Sequence, residues 1–268
     1  MKSNQAVGVF DSGMGGLTAV KAIRELLPHE DIVFFADTLR MPYGDKPKST
    51  IIEYAKQNIK FLKSCNTKII LAACGTISSY LSLAKSGEEV LGVIKPSCLE
   101  AAQKTSNRSI GVLATRATIE SNSYIKCLNK IDSNIHCWQR ACPQLAPLIE
   151  NGNISVQDKN LVSTLQECIT PLLEQDVDTI ILGCTHYPIV EPVIREIFGN
   201  ELNLINSGEQ LAKSLQVTLK QKQLESRSHV GEPRLRICVS GDEKSFLKNA
   251  QLFLGKQEKF SIERVSII

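Results

Sequence analysis

Closely spaced cysteine pairs are absent from this sequence, although its 268 residues include nine cysteines. Without a CxxC pair, the usual zinc and dithiol arrangements have no starting point. The nearest ligand-like group is His136, Cys137 and Cys142. Its neighbours are apolar and no second pair follows, so the expectation is buried small side chains and no metal. An odd cysteine count, and no apolar leader segment, fit a reduced protein of the cytoplasm. Cys65, Cys98, Cys127, Cys168 and Cys238 are then expected as buried apolar groups. Long hydrophobic runs are missing as well. The longest, near Lys68–Ala73 and Thr179–Leu182, fall far short of the roughly 20 apolar residues of a bilayer helix, so no membrane partner is expected. Net charge is only +3, and lysine and arginine form no stripe interleaved with aromatics. That excludes the electrostatic footprint of a nucleic-acid binder.

What is present is an alternation of short apolar runs and longer amphipathic stretches. Ala6–Phe10, Ile32–Phe35 and Ile69–Ala73 are rich in β-branched or aromatic residues and stop at small or polar ones, as buried strands do. Leu17–Leu27 and Ile51–Ser64 repeat apolar residues at three- and four-residue spacing, as helices on a sheet do. Pro28 and Pro47 stand at helix edges. The order is that of a βαβαβ unit with a parallel sheet.

The pattern then repeats. Strands are expected at Ser109–Leu113, Asn134–Trp138 and Thr179–Leu182, and helices at Ile119–Asn129 and Leu161–Glu174. "VGVFDSG" at Val7–Gly13 matches "IGVLATR" at Ile110–Arg116, and "KIILAACGT" at Lys68–Thr76 matches "TIILGCTHY" at Thr179–Tyr187. Two similar halves therefore each end a third strand on a cysteine. Beyond Ile205 come a helix (Leu211–Leu219), a polar loop (Lys220–Arg234), a strand (Leu235–Val239) and a helix (Ser245–Leu254). The last two most simply complete the first half's sheet.

Ligands of parallel α/β sheets bind beyond the carboxyl ends of the strands. The polar clusters there are Asp11-Ser12-Gly13, Asp37-Thr38, Cys74-Gly75-Thr76, Thr115 to Thr118, and Cys184-Thr185-His186. The glycine-rich turn Asp11–Gly16 is neither a P-loop nor a dinucleotide fingerprint, and as a plain turn and helix cap it would need no function. Tyr43-Gly44 lies in a proline-flanked segment that would equally suit a surface turn. No lysine stands at a strand end among these clusters, which disfavours a pyridoxal enzyme. Cys74 and Cys184 differ from the other cysteines because polar residues, not more core, follow them. A thiol serves as base when ionised and as acid when protonated, so two of them facing one carbon suit a proton moved from one face to the other.

"VFDSGMGGLTA" (Val9–Ala19), "ADTLRMPYGDK" (Ala36–Lys46), "AACGT" (Ala72–Thr76), "LATRATIES" (Leu113–Ser121), "CPQLAPLIENG" (Cys142–Gly152) and "LGCTHYP" (Leu182–Pro188) together resemble the glutamate racemases of the cofactor-independent aspartate/glutamate racemase family. "CVSGDEKSF" (Cys238–Phe246) is similar to that family's C-terminal segment. The resemblance implies two α/β domains, with mostly parallel sheets flanked by helices and the active site in the cleft between them. The expected division is residues 1–97 with 207–268, and residues 98–206. The implied activity interconverts L- and D-glutamate without a cofactor, in a cytoplasmic homodimer that supplies peptidoglycan synthesis. Cys74 and Cys184 take the family's acid/base positions, assisted by Asp11 and His186. Asp11, Ser12, Tyr43, Gly44, Gly75, Thr76, Thr185 and His186 take substrate-contact positions, and Thr115 and Thr118 would hold a carboxylate. The family usually reads Cys-Asn-Thr where this chain has Cys74-Gly75-Thr76. The missing amide would have to come from Asn66, Asn122 or a water. Asn206-Ser207 replaces a common Asp-Ser. Aspartate as substrate, or a non-catalytic binding relative, are the alternatives, and the presence of both cysteines speaks against the second.

Overall fold

Three strands of the first half are buried at every residue: β1 (Val7–Asp11), β2 (Ile32–Ala36) and β3 (Ile69–Ala72). Such strands need cover on both faces, and crossover helices supply it. These are α1 (Leu17–Leu26), α2 (Lys48–Ser64) and α3 (Gly75–Ala84), with α1 turning Leu17, Ala19, Val20 and Ile23 inward. Strand β4 (Val90–Gly92) pairs with β3, and α4 (Ile94–Lys104) leads out of the half. The structure, a computed structural model, describes residues 2–84, 89–226, 234–255 and 258–267.

The second half holds β5 (Ser109–Ala114), α5 (Arg116–Glu120), α6 (Ser123–Ile131), β6 (His136–Ala141), α7 (Leu145–Glu150), α8 (Lys159–Leu173), β7 (Thr179–Leu182), α9 (Glu191–Phe198) and β8 (Asn203–Asn206). Its sheet runs β6-β5-β7-β8, all parallel, which is the order β2-β1-β3-β4 of the first half. The repeat legible at both ends of each half is thus a repeat of topology. After α10 (Ser207–Gln221) the chain returns to the first sheet. β9 (Leu235–Val239) pairs with β2, α11 (Glu243–Leu254) follows, and β10 (Ser261–Arg264) forms the outer edge.

Several expectations are corrected. The strand expected at Asn134–Trp138 lies at His136–Ala141 and takes in polar Gln139 and Arg140, because β6 is an edge strand whose alternate residues face outward. The helix expected over Ile119–Asn129 is broken into α5 and α6 by Asn122, which sits in the left-handed region at φ 54°. The Ser121 hydroxyl donates to the Thr118 carbonyl and so competes with the helix ladder. Part of the loop expected at Lys220–Arg234 is helical, since α10 runs to Gln221, and residues 227–233 lie outside the described residues. Cys168 is not a free thiol. It is joined to Cys142 in a disulfide, with Cα atoms 6.3 Å apart, so the expectation of fully reduced cysteines fails for this pair. Cys65 and Cys127 are half-buried rather than core residues. Among the described residues, no helix is long and apolar enough to cross a membrane, and no cluster of three or more ligating side chains could hold a metal ion.

Candidate active site

The carboxyl ends of β1 and β3 from one sheet and of β5 and β7 from the other face a common cavity of about 250 Å³. Cys74 and Cys184 both line it, each two residues past the end of its strand. Both are nearly inaccessible to solvent, at 6% and 7% exposure.

Backbone meets backbone where the halves touch. Gly75 opens α3, and a Cβ there would stand 2.1 Å from the Gly183 carbonyl oxygen, immediately before Cys184. A main-chain carbonyl cannot swing aside, so this approach of the two cysteine-bearing segments requires glycine. Gly15 has the same role toward the other side of the second loop, where a Cβ would meet the Thr185 hydroxyl at 2.4 Å and the His186 ring at 2.5 Å. Hydrogen bonds tie the same junction. Thr18 donates to the Thr185 carbonyl at 2.9 Å, and the Ala117 amide donates to the Gly44 carbonyl at 3.1 Å.

The thiols have unlike neighbours. Cys74 Sγ lies 3.5 Å from the Ser12 hydroxyl. Burial, and then the Asp11 carboxylate nearby, push the Cys74 thiol up to about 12, against the opposing pull of the Ile77 amide and Ser12. Cys184 Sγ lies 3.6 Å from His186 Nδ1, and His186 Nε2 lies 2.7 Å from Glu150 Oε1. Burial works against a charged imidazole, but bonds to Cys184 and Glu150 outweigh it and raise His186 to about 10. Both ring nitrogens face acceptors, the arrangement an imidazolium satisfies with its two N–H groups.

Glu150 was not singled out from the sequence. It ends α7, whose Ala146 and Pro147 also line the cavity, and α11 props it from the C-terminal segment. Asn249 donates to the Glu150 carbonyl at 3.2 Å, and the Phe253 ring packs edge-on against His186 with centroids 5.6 Å apart.

Ser12, Tyr43, Gly44, Gly75, Thr76, Thr115, Thr185 and His186 line the cavity. Asp11 and Thr118 do not reach its wall. Asp11 is buried behind it, accepting from the Gly13 amide at 2.7 Å and from the Thr185 hydroxyl at 3.3 Å. Burial raises its carboxyl above the usual range, while His186 draws it back down. Thr118 stands behind Thr115, at the end of a hydroxyl chain that runs Thr76–Thr115–Thr118 at 2.8 and 2.9 Å. The Tyr43 hydroxyl is turned away from the cavity and donates to Asp37, a buried carboxylate also held by Arg40 and Ser240. Neither substitute for the missing amide is near. Asn66 accepts from Gln5 at 2.5 Å, and Asn122 accepts from Gln139 at 3.3 Å. Asn206 caps α10 by accepting from the Gly208 and Glu209 amides, and Ser207 donates to the Leu182 carbonyl at the end of β7.

Residues 32–215 match the family model described as Asp/Glu/Hydantoin racemase. A glutamate racemase of Thermoanaerobacter pseudethanolicus is 38% identical over 254 residues, covering 95% of each chain. The crystal structure of a glutamate racemase isoform from Bacillus anthracis superposes with a TM-score of 0.91 at 32% identity, over 98% of both chains. The Francisella tularensis glutamate racemase, solved in complex with D-glutamate, superposes with a TM-score of 0.89 at 33% identity, over 99% of this chain and 98% of that one. With that likeness running the full length of both α/β halves, this chain belongs to the Asp/Glu/hydantoin racemase family.

Proposed function

We propose that the chain interconverts L- and D-glutamate by passing a proton across the α-carbon between Cys74 and Cys184. One observation carries this reading: two thiols at matching strand ends of a duplicated fold line one cavity. In the resting site, Cys74 is a thiol and His186 an imidazolium that offers Cys184 a charge-assisted hydrogen bond. Cys184, as thiolate, takes the α-proton from one face. Cys74 then delivers its own proton to the opposite face. The site is left with Cys184 protonated and Cys74 ionised, which is the form that accepts the other enantiomer. Both forms bind the same number of protons, so one pH profile serves both directions.

Glu150 orients the imidazole, and Asp11 acts from behind the wall through Thr185 and the Gly13 turn. The Thr76–Thr115–Thr118 hydroxyls supply donors for a substrate carboxylate, with Thr118 holding Thr115 in place. Ser12, Gly44 and Gly75 complete the contacts, and Tyr43 contributes its ring rather than its hydroxyl. Residues 1–97 with 207–268, and residues 98–206, are the two domains of this reading, consistent with the two sheets. The likeness to glutamate racemases also supports a cytoplasmic homodimer that feeds peptidoglycan synthesis. Light scattering that finds a lone chain at working concentration would refute the dimer.

The test follows the optical activity of L- and D-glutamate, and of both aspartates, with purified enzyme and no added cofactor. Glutamate is expected to racemise from either side while solvent deuterium enters the α-carbon. Cys74→Ser and Cys184→Ser are each expected to lower kcat by about a thousandfold, within the range of a positioned acid or base. Full racemisation by either variant, or a preference for aspartate, would overturn the reading.

A further inference from the structure

Away from the catalytic cleft, a second and more open cavity of about 570 Å³ lies between α3, α4 and α6. Cys127 lines it, and so do Lys95, Lys126 and Lys130, while no acidic side chain does among the described residues. Cys127 is half-buried on α6 and Cys98 is fully buried on α4, in the face where those helices pack together. The Cys98 sulfur reaches the α6 backbone, 4.0 Å from the Tyr124 carbonyl oxygen and one turn before Cys127. The two thiols are close enough to perturb each other's ionisation. The mechanism uses neither of them, and the sequence alone suggests only apolar filling.

We propose that Cys98 and Cys127 form an oxidisable dithiol, and that the lysine-rimmed cavity admits a small disulfide bearing carboxylate groups. Two facts beyond the bare presence of thiols support it. The sulfur that lines the cavity has a second, buried sulfur on the helix packed against its own, the layout of an attacking and a resolving thiol. The cavity's charge is also of one sign, which concentrates an anionic reagent at that sulfur. The neighbouring Cys98 thiol, aided by Lys95 and Lys130, holds Cys127 below the usual thiol range despite its partial burial. Cys98 is held as a thiol, because burial and the neighbouring Cys127 both raise it. Cys137, near Cys98, is pushed up to about 12 by burial and does not compete.

The exchange has two steps. The Cys127 thiolate attacks one sulfur of the small disulfide, a mixed disulfide forms, and one small thiolate leaves. Cys98 then attacks Cys127 Sγ, its proton passes to the leaving group, and the second small thiol departs. In sum, two protein thiols lose two electrons and two protons, and one small disulfide becomes two thiols.

The experiment treats the whole folded enzyme with oxidised glutathione and maps the modified peptides by mass spectrometry. A Cys98–Cys127 disulfide is expected in the wild type. Cys98→Ser should stop at a stable glutathionyl adduct on Cys127, and Cys127→Ser should leave Cys98 unmodified. Lys95→Gln with Lys130→Gln should slow the reaction at least about tenfold. The same pair of changes should slow neutral hydroxyethyl disulfide several-fold less than it slows oxidised glutathione, since the neutral reagent loses only the lysines' support of the Cys127 thiolate and no steering. Modification mapping first to other cysteines would overturn the proposal. So would a Cys98→Ser variant that accumulates no adduct, or lysine variants that slow both reagents alike. None of these readouts depends on racemisation, so the outcome is separate from that of the proposed activity.

Discussion

Cys74 and Cys184 occupy equivalent ends of equivalent strands, yet their surroundings differ in sign. Around Cys74 stand apolar burial and a buried carboxylate, which together favour the uncharged thiol over the opposing pull of the Ser12 hydroxyl. Around Cys184 stands an imidazole braced by a carboxylate, which supplies positive charge. Duplication produced two sulfurs in symmetric places, and the side chains added to each half gave them unlike electrostatic surroundings, which the proposed mechanism uses as a resting acid and a resting base. Reciprocal chemistry therefore does not need a symmetric site. It needs two protonation states that differ only in where a single proton sits.

The sharpest way to break this comparison is to act on what the halves share. Gly75→Ala puts a methyl group against the Gly183 carbonyl and separates both thiols from their working distance. A displacement of about 1 Å is enough to lower kcat about a hundredfold in both directions. Steady-state kinetics, with a circular-dichroism melt to show that the fold persists, checks it. Unchanged kcat would mean that the closed contact is not the working geometry.

Acting on one half alone should do less. Glu150→Gln removes one of the groups that raise His186, so the imidazolium loses its proton at lower pH. His186 is raised, so its charged form is present below about 10 and lost as pH rises through that value. In the wild type kcat/KM should fall on the alkaline side near 10, and in the variant that limb should move to lower pH, with about a tenfold loss at neutral pH. Because an equilibrium constant of one makes kcat/KM equal for the two enantiomers, either substrate reports the same limb. An unmoved limb would remove Glu150 from the mechanism. On the first half, Ser12→Ala takes away a hydrogen bond that favours ionised Cys74. One such bond corresponds to about 1 kcal/mol, so a loss of no more than about fivefold is expected in kcat. A hundredfold loss would mean that Ser12 touches the substrate.

The cysteine pair was legible because each cysteine ends an all-apolar run and is followed by polar residues, a local signal with a structural cause. Thr115, Thr185 and His186 were legible for the same reason. Glu150 was not, since a glutamate closing a short helix looks like any surface carboxylate until α11 and the His186 ring are packed against it. Asp11 and Thr118 stand out in the sequence as strand-end polar residues, but sequence position could not tell a wall from the layer behind it. The Cys142–Cys168 bond was invisible because it depends on how α8 lies against the start of α7. Strand β4, only three residues long, is too short for periodicity to announce, and the edge strand β6 is too polar to resemble its buried counterpart β2.

The return of the last segment to the first sheet has a consequence for the order in which the protein can be made. β2 leaves the ribosome early, but β9, which pairs with its outer side, lies some two hundred residues downstream. At about 5–20 residues per second, that edge stays unpaired for tens of seconds. Over that interval the second sheet has all four of its strands and can close, while the first cannot. A newborn chain thus carries a finished half and an adhesive one, and the exposed β2 edge is where misassembly between nascent copies would begin.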